Sequence, residues 1–321
     1  MGPSAIRRFA GRIGAVAAVL YLVSLISFVL IDLLPGDPTT TLLPPGTSPE
    51  AAQRVRHEMG LDLGIVTRYV RWVGHAVRGD LGTTFASGEH VSSLLTRAFT
   101  VTAELVLTSQ LLALIVGLTL AVVATRRAGG MIDRTVQAAT FAVVALPVFA
   151  VALVLLLVFA VHLHWFPAVG YVHVSDSPIG NLRSIVLPTL TISLQPTATY
   201  ARVVRAELVL ASASDHAMLA RGLGLPERRI VGHALRQSLS GSLAVIGIQI
   251  AGALGGAVLV ENIFALPGVG RLLLESIGRR EYFVVQGAVL VIGAAFVVFN
   301  QSIDALRTWL DPRQRATRLM S

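Results

Sequence analysis

The sequence predicts an all-α integral membrane protein with six transmembrane helices. Its 321 residues are 54% hydrophobic and only 14% charged, and the mean hydropathy of +0.72 lies outside the range of soluble domains with a polar surface. The apolar residues are grouped in stretches of about 20, the length that a helix needs to cross the hydrocarbon core of a bilayer. Arginines lie at the ends of these stretches, as the positive-inside tendency predicts.

Six uncharged stretches approach or meet this length. In chain order they are residues 13–31, 105–125, 135–161, 184–201, 237–260 and 282–303. The fourth is the weakest, because 184–201 is short and contains Pro188 and Pro196, which weaken a helix. Six spans place both termini on the same side and put 16 of the 26 arginines there, so we predict six spans with cytoplasmic termini.

Composition excludes several classes of chemistry. All 26 basic residues are arginine, so a Schiff-base lysine and the phosphate-binding lysine of a P-loop ATPase are both impossible on this chain. The absence of cysteine excludes thiolate metal ligands and disulfides. The formal net charge of +8 is compatible with nucleic-acid binding in a soluble protein, but here the arginines are better explained by membrane orientation, and we expect no nucleic-acid partner.

The first span, residues 13–31, is predicted to be an uncleaved anchor rather than a signal peptide. An extracytoplasmic insertion of about 70 residues follows it, with one helix expected to begin at Ser48-Pro49-Glu50 and an amphipathic helix over Thr67–Val77. We divide the chain into this N-terminal part, 1–97, a transmembrane core, 98–307, and a cytoplasmic tail, 308–321.

The cytoplasmic segment 211–235, between the fourth and fifth spans, is predicted to form a helix, a sharp turn and a second helix. Ser214 and Asp215 can cap a helix that extends through Leu223, and Gly224 can supply the left-handed residue that ends it. Pro226 and Glu227 then suit the first two positions of a new helix. The alternative interpretation of the segment is a plain basic loop that only fixes topology.

This segment resembles the coupling loop of ABC importer permeases, in the form found in dipeptide and oligopeptide permeases. The matching positions are Asp215, Ala220, Arg221, Gly224, Leu225, Arg228 and Arg229, and with Gly222, Pro226 and Glu227 they make the predicted ATPase-coupling site. The pattern departs from the family at Met218 and Leu219, where the loop's glutamate and first alanine would fall. Segments 31–38, 78–85, 261–271 and 310–313 also resemble this family, in the same order.

The resemblance implies a type I ABC importer permease fold in a bacterial inner membrane. It also implies three kinds of partner, namely a second homologous permease, two cytoplasmic ATPase subunits and an extracytoplasmic substrate-binding protein. ATP and Mg would be bound by the ATPase subunits, so no cofactor and no catalytic residue are expected on this chain. The implied cargo is a di- or oligopeptide, with nickel, glutathione and haem-like molecules as alternatives.

Two further groups of residues are candidate sites. The small residues Gly247, Gly252, Gly255 and Gly256 of the fifth span predict close helix packing or a position along the path. Glu261, Asn262, Pro267, Gly268 and Gly270 belong to the last extracytoplasmic loop, where we expect a turn and a short amphipathic helix.

Ionisable residues give weaker signals. Glu104, Glu207, Glu261 and Asp304 lie at predicted span ends, where we expect each carboxylate to reach water or an arginine. His162 and His164 are too few for a metal site, so none is expected. Against an intramembrane enzyme, no catalytic cluster is predicted at mid-membrane depth. Against an ion-coupled secondary transporter, no mid-membrane charge and no inverted repeat is visible.

Overall fold

Helices account for nearly all regular structure in the computed structural model, which describes residues 3–32, 48, 50, 53, 57, 62–85 and 87–310. They are α1 (Pro3–Asp32), α2 (Ile65–Ala76), α3 (Val91–Thr125), α4 (Met131–Ala145), α5 (Val148–Leu155) continuing as a π-helix (Leu156–His162), α6 (Pro178–Ser212), α7 (Asp215–Gly222), α8 (Glu227–Ile263), α9 (Val269–Arg279) and α10 (Tyr282–Leu310). The predicted helix start at Ser48-Pro49-Glu50 and the predicted tail lie largely outside the described residues.

The chain forms two units, each assembled from separate stretches of sequence. The first contains Met1–Val101 and Pro267–Val297, and the second contains Thr102–Leu266 and Val298–Ser321. Of the three boundaries between these stretches, those at 101/102 and 297/298 lie inside helices, so α3 and α10 each contribute to both units.

Three of the described helices are long and apolar enough to cross a bilayer, namely those over Val91–Thr125, Ser242–Ile263 and Tyr282–Ile303. The pair Met131–Ala145 and Val148–His162 would make a fourth if it forms one span. Gly14–Val29 is a shorter apolar stretch. The helical membrane architecture agrees with the sequence, and the count of six spans stays a prediction.

The third predicted span, 135–161, is not one continuous helix. It is interrupted at Leu146 and Pro147, and the two halves meet at a bend of 102°. Leu146 is extended, with ψ of 129°, because a residue that precedes proline is disfavoured in the helical region. The side-chain amide of Gln195 donates a hydrogen bond to the Leu146 carbonyl at 2.8 Å, so α6 supplies the partner that the interrupted helix lacks.

In the first unit, α1 and α2 pack through aromatic side chains. The Tyr69 ring lies edge-on to the rings of Tyr21 and Phe28, and its hydroxyl is 2.9 Å from that of Ser24. The opposite side of α2 is open, and Val70 is among its exposed apolar residues. Helix α2 therefore has one face on α1 and one apolar face uncovered by the described residues.

The remaining core of the first unit joins the start of α3 to α9 and α10. Val91 and Leu95 pack against Val269 and Val284. The buried carboxylate of Glu281 accepts a hydrogen bond from the Phe85 backbone at 2.8 Å. A buried polar contact of this kind holds the segment before α3 at the start of α10.

In the second unit, α3 packs closely on α6. Gly117 faces Tyr200, and a Cβ placed on Gly117 would lie 2.9 Å from the Tyr200 Cβ. The Tyr200 side chain is buried, and its hydroxyl donates to the amide oxygen of Gln110 at 2.6 Å. Leu243 and Ile246 of α8 complete this cluster, so α3, α6 and α8 share one core.

A buried ion pair fixes the start of α4 to α6. The Asp133 carboxylate receives two hydrogen bonds from the Arg205 guanidinium, at 2.5 and 2.6 Å. It also accepts from the Gly129 backbone and from Gln137. Asp133 is only 1% exposed, and it has full hydrogen bonding, which a buried carboxylate requires. No local sequence pattern predicts this pair, because its members are 72 residues apart.

Candidate functional site

The predicted turn between α6 and α8 is present, and we call residues 212–230 the corner. Its short helix α7 begins at Ser214, whose hydroxyl accepts a hydrogen bond from the Ala217 backbone at 3.4 Å. The same hydroxyl donates to the Ala211 carbonyl at 2.7 Å. Ser214 thus caps α7 as predicted and ties it to the end of α6, while Asp215 occupies the first turn.

The end of α7 is a Schellman motif centred on Gly224. Leu223 ends the helix, and Gly224 has φ of +74°, a left-handed conformation that glycine adopts without a Cβ clash. The N–H of Leu225 donates to the Ala220 carbonyl at 3.1 Å, and that of Gly224 donates to the Arg221 carbonyl at 2.9 Å. The predicted left-handed glycine is confirmed, and its turn is closed by two backbone bonds.

The second helix begins one residue later than the sequence indicates. Pro226 is the N-cap of α8 with extended backbone, φ −67° and ψ 139°, so Glu227 is the first helical residue rather than the second. The prediction that Pro226 occupies the first helical position is therefore wrong. The cause is local, since the turn at Gly224 and Leu225 leaves Pro226 extended, and the Arg229 N–H already bonds to the Pro226 carbonyl at 2.8 Å.

Arg221 connects all three helices of the corner. Its guanidinium donates to both carboxylate oxygens of Glu227, at 2.9 and 3.3 Å, and to the Ser212 carbonyl at 2.9 Å. The hydrogen bond from Arg221 lowers the pKa of the Glu227 carboxyl, and the pKa of the guanidinium is correspondingly raised. One arginine on α7 therefore holds the end of α6 and the start of α8, and the two-point contact also fixes their direction.

The inward side of the corner is anchored in the apolar core of the second unit. Ala217 and Ile230 are buried, and Ala234 packs in one cluster with Val204 and Leu208 of α6 and Ala121 of α3. A displacement of the corner would therefore act on α6 and α8 directly, because close-packed interiors transmit strain.

The outward side of α7 is apolar and uncovered. Met218 and Leu219 are each 63% exposed, and Leu223 is 71% exposed. Arg228 and Arg229 are exposed at the start of α8, in the same corner. Sequence reasoning treated Met218 and Leu219 only as departures from a pattern, but their position on a capped, anchored helix makes an apolar patch with a basic edge.

The four small residues of α8 do not share one environment. A Cβ on Gly247 would lie 3.2 Å from Ile303 of α10, so this glycine permits close packing within the chain. For Gly252, Gly255 and Gly256, no described atom beyond the helix's own nearby backbone lies within 4 Å of the Cβ position. Ile248 and Leu259 are exposed on the same helix, and together these residues give α8 an uncovered face of small and apolar side chains.

The last loop has the expected turn and amphipathic helix. Within it, Glu261 is fully buried and accepts a hydrogen bond from Thr102 at 2.6 Å, so its carboxylate is shielded from water, one of the two surroundings predicted for it. Its carbonyl also accepts from the Leu266 N–H at 2.8 Å, which closes the turn.

The other members of this loop occupy ordinary positions. Asn262 is exposed at the end of α8, and Pro267 precedes Gly268, which is the N-cap of α9. Gly270 is buried in the first turn of α9. Sequence reasoning missed Ala265, which has φ of +54° in the turn.

The remaining carboxylates and histidines make no catalytic or metal cluster among the described residues. Glu104 accepts a hydrogen bond from the Tyr171 hydroxyl at 2.5 Å, and Glu207 is half-buried on α6. The Asp304 side chain lies outside the described part. No group of three or more possible metal ligands occurs in the residues searched.

Two family models match the chain in consecutive segments. The model for the binding-protein-dependent transport system inner membrane component matches residues 113–316. The model for the N-terminal part of such membrane components matches residues 5–106. The two matches together cover both units and the corner.

Curated relatives match along nearly their whole length. A putative peptide transport system permease of Brucella abortus is 36% identical over 305 residues, covering 95% of this chain and 97% of that protein. A di/tripeptide transport system permease of Pseudomonas aeruginosa is 32% identical, covering 96% and 98%. A glutathione transport system permease of Escherichia coli is 31% identical, covering 95% and 97%.

Proposed function

We propose that this chain, which belongs to the family of binding-protein-dependent transport system inner membrane components, forms part of the translocation path for short peptides. As a multi-pass inner-membrane permease of the peptide ABC importer type, it couples to separate ATPase subunits through the corner. The observation that carries this proposal is the corner itself, an anchored turn with an uncovered apolar face. In this proposal the chain supplies part of the translocation path and the corner that transmits motion to it, and the ATPase subunits supply the energy of ATP hydrolysis.

The mechanism follows from how the corner is held. The Schellman motif and the Arg221 contacts fix the angle between α7 and α8, while Ala234 and Leu208 join α8 and α6 inside the core. A push on α7 therefore moves α6 and α8 together instead of being absorbed by a flexible loop. Rigid-body motion of this kind can alternate access to a central path.

The apolar patch of Met218, Leu219 and Leu223 is the proposed contact with the ATPase subunit. Isolated exposed apolar residues are common, but these three lie on one short helix and its C-cap, and the same helix is anchored through buried Ala217. Arg228 and Arg229 at its edge would favour an acidic rim on the partner. With both termini cytoplasmic, as the arginine distribution predicts, this face lies on the side where ATP is available.

The test of the proposal is uptake of a radiolabelled dipeptide into two preparations of vesicles. One contains the complete transporter, and the other contains the same transporter assembled without its ATPase subunits. Uptake should depend on both ATP and the ATPase subunits. Uptake that persists without them, driven by a proton or sodium gradient, would identify an ion-coupled transporter and refute the proposal. Competition by glutathione in the same assay decides the cargo alternative that the Escherichia coli relative raises.

A matched pair of methionine variants tests the corner contact. Met218→Asp places a charge in the proposed contact and should weaken ATPase binding by about tenfold or more, because a buried unpaired charge is costly at an interface. Met131→Asp makes the same change at another exposed methionine, away from the corner, and should leave binding unchanged. Equal effects of the two variants on co-purification of the ATPase would contradict the assignment of this face.

The uncovered face of α8 is the proposed contact with the second permease. Gly252, Gly255 and Gly256 allow another helix to approach closely. The chain has no cysteine, so Gly255→Cys gives a single site for a thiol-linked photoactivatable crosslinker. Crosslinking to the partner permease is expected, and a Leu182→Cys variant on an exposed position of α6 serves as the control. Crosslinks to lipid alone from Cys at 255 would refute this contact.

A further inference from the structure

The first unit contains a cavity of about 540 Å³ between α1, α2, the segment before α3 and the start of α10. Its volume lies within the usual range of small-molecule sites, about 300–1,000 Å³. None of the residues in the corner or in the uncovered face of α8 lines it. The proposed path and coupling contacts therefore leave its purpose open.

The wall of this cavity is divided into a buried aromatic floor and a charged rim. Phe28, Trp72 and Tyr282 line the floor and are each less than a tenth exposed. The rim carries Arg68 and Arg71 on α2, together with Asp62 and Asp80. A ligand with an apolar side chain and both signs of charge would match this division.

Two buried polar atoms of cavity-lining residues have no hydrogen-bond partner in the part of the chain that the structure describes. They are the indole nitrogen of Trp72, which can only donate, and the side-chain oxygen of Gln286, which can only accept. Such orphaned groups are rare in native proteins. A peptide bond offers the complementary pair, since its carbonyl accepts and its N–H donates.

The rim groups are suited to the two ends of a peptide. The Asp80 carboxylate accepts a hydrogen bond from the Gly82 backbone at 3.0 Å, which together with His75 lowers its pKa and keeps it anionic. Arg71 is exposed at the cavity edge, and an arginine fork suits a carboxylate. An ammonium near Asp80 and a carboxylate near Arg71 would then be held by opposite charges.

We propose that this cavity binds short peptides with free ends, placing the apolar side chain on the aromatic floor, the peptide bond between Trp72 and Gln286, and the carboxylate at Arg71 of α2. The inference rests on the proposed function, because it identifies a second place on the same permease at which its cargo is recognised. It also gives the chain a selectivity of its own for peptides with an apolar residue and a free carboxylate.

The experiment uses the full chain with its partner permease in detergent, without ATPase subunits, and calorimetric titration with the dipeptide alanylphenylalanine and its C-terminal amide. Arg71→Gln should weaken binding of the acid by about tenfold, the effect of losing one charge-assisted hydrogen bond, and should leave the amide unchanged. Arg78→Gln removes the same charge two turns further along, outside the cavity lining, and should change neither affinity.

A second variant tests the floor. Gln286→Met keeps the length of the side chain and removes the orphaned oxygen, so it should weaken both the acid and the amide by about threefold to tenfold without lowering the melting temperature. Unchanged affinity with a higher melting temperature would mean a packing defect and would overturn the proposal. Displacement of the dipeptide by short-chain phosphatidylethanolamine at lower concentration would assign the cavity to a lipid headgroup and would also overturn it.

The two proposals fail in different ways. If dipeptide uptake does not require the ATPase subunits, the proposed function fails. If uptake remains ATP-dependent while Arg71→Gln and Gln286→Met bind both dipeptides as the unaltered protein does, only the cavity proposal fails. Absence of any binding at millimolar dipeptide overturns the cavity proposal in the same way.

Discussion

The corner between α7 and α8 and the bend between α4 and α5 both interrupt helical structure, but different bonds hold them. The corner is closed by two backbone bonds around Gly224 and by the contacts of Arg221 with Glu227 and Ser212. The bend at Leu146 has one side-chain partner, Gln195 of α6. The corner is therefore rigid by its own local sequence, whereas the bend depends on a neighbouring helix.

Because of this difference, the corner and the bend are suited to different functions. A part that transmits force must keep its angle, and the corner has the bonds for that. A bend whose freed carbonyl is bound by one exchangeable side-chain hydrogen bond can change its angle at a lower cost than the corner, as discontinuous helices do where they line a path. We expect changes at the corner to affect coupling and changes at the bend to affect stability and path geometry.

The largest expected effect on stability comes from the ion pair that holds α4, the first half of the bend. Asp133→Asn leaves the Arg205 charge without its buried partner and should lower the free energy of unfolding in detergent by about 3 kcal/mol. Glu275→Gln is the control, since Arg271 and Glu275 are 34% and 42% exposed and the removal of this solvent-screened pair should cost less than about 0.5 kcal/mol. Similar melting temperatures for the two variants would mean that α4 does not depend on Asp133.

The largest expected effect on coupling comes from Gly224→Pro. Proline cannot adopt φ of +74° and has no N–H for the Arg221 carbonyl, so the corner should lose its angle. Uptake should fall by about tenfold or more while membrane insertion and ATP hydrolysis persist. Gly232→Ala is the control, because Gly232 lies inside α8 beyond the corner and has open space around its Cβ position. Unchanged uptake by Gly224→Pro would refute the proposal that a rigid corner transmits motion to α6 and α8.

The corner could be predicted from sequence because its residues have strong local preferences. Ser214 caps, Gly224 turns and Pro226 starts a helix with little help from the rest of the fold. The error of one position at Pro226 shows the limit of this approach, since proline is also accepted just before the first helical residue. The exposure of Met218 and Leu219 could not be predicted from the sequence, because it depends on which side of α7 packs against the rest of the protein.

The bend could not be predicted, because hydropathy and proline content do not distinguish it from a straight helix. Residues 135–161 are uncharged throughout, and Pro188 and Pro196 lie inside α6 without breaking it. Pro147 has the same covalent structure, yet it lies at a bend of 102°. The outcome depends on Gln195 and on the Asp133 ion pair, which are contacts between segments distant in sequence.

A smaller effect is expected at the bend itself. Gln195→Leu removes the partner of the Leu146 carbonyl and should lower the free energy of unfolding by about 1 kcal/mol. Gln301→Leu makes the same change on α10, at a half-buried amide that has no hydrogen bond among the described residues, and should be neutral. If both variants have the melting temperature of the unaltered protein, water or lipid replaces Gln195 as the partner of the Leu146 carbonyl, and the bend is independent of α6.

The smallest effect is expected from the exposed pair of Arg221 and Glu227, because solvent screens it. The pKa of Glu227 lies below its ordinary value of 4.5 in the folded protein, so the pair stabilises the corner above that value and the contribution is lost as pH falls through the lowered pKa. The corner should thus be insensitive to pH between 6 and 8 and loosen only below about 4.5. A spin label attached through Leu223→Cys should become more mobile in this acidic range, and in a Glu227→Gln background it should already be mobile at neutral pH and respond little to acid. An identical pH response in both backgrounds would show that the backbone motif at Gly224 is sufficient to hold the corner.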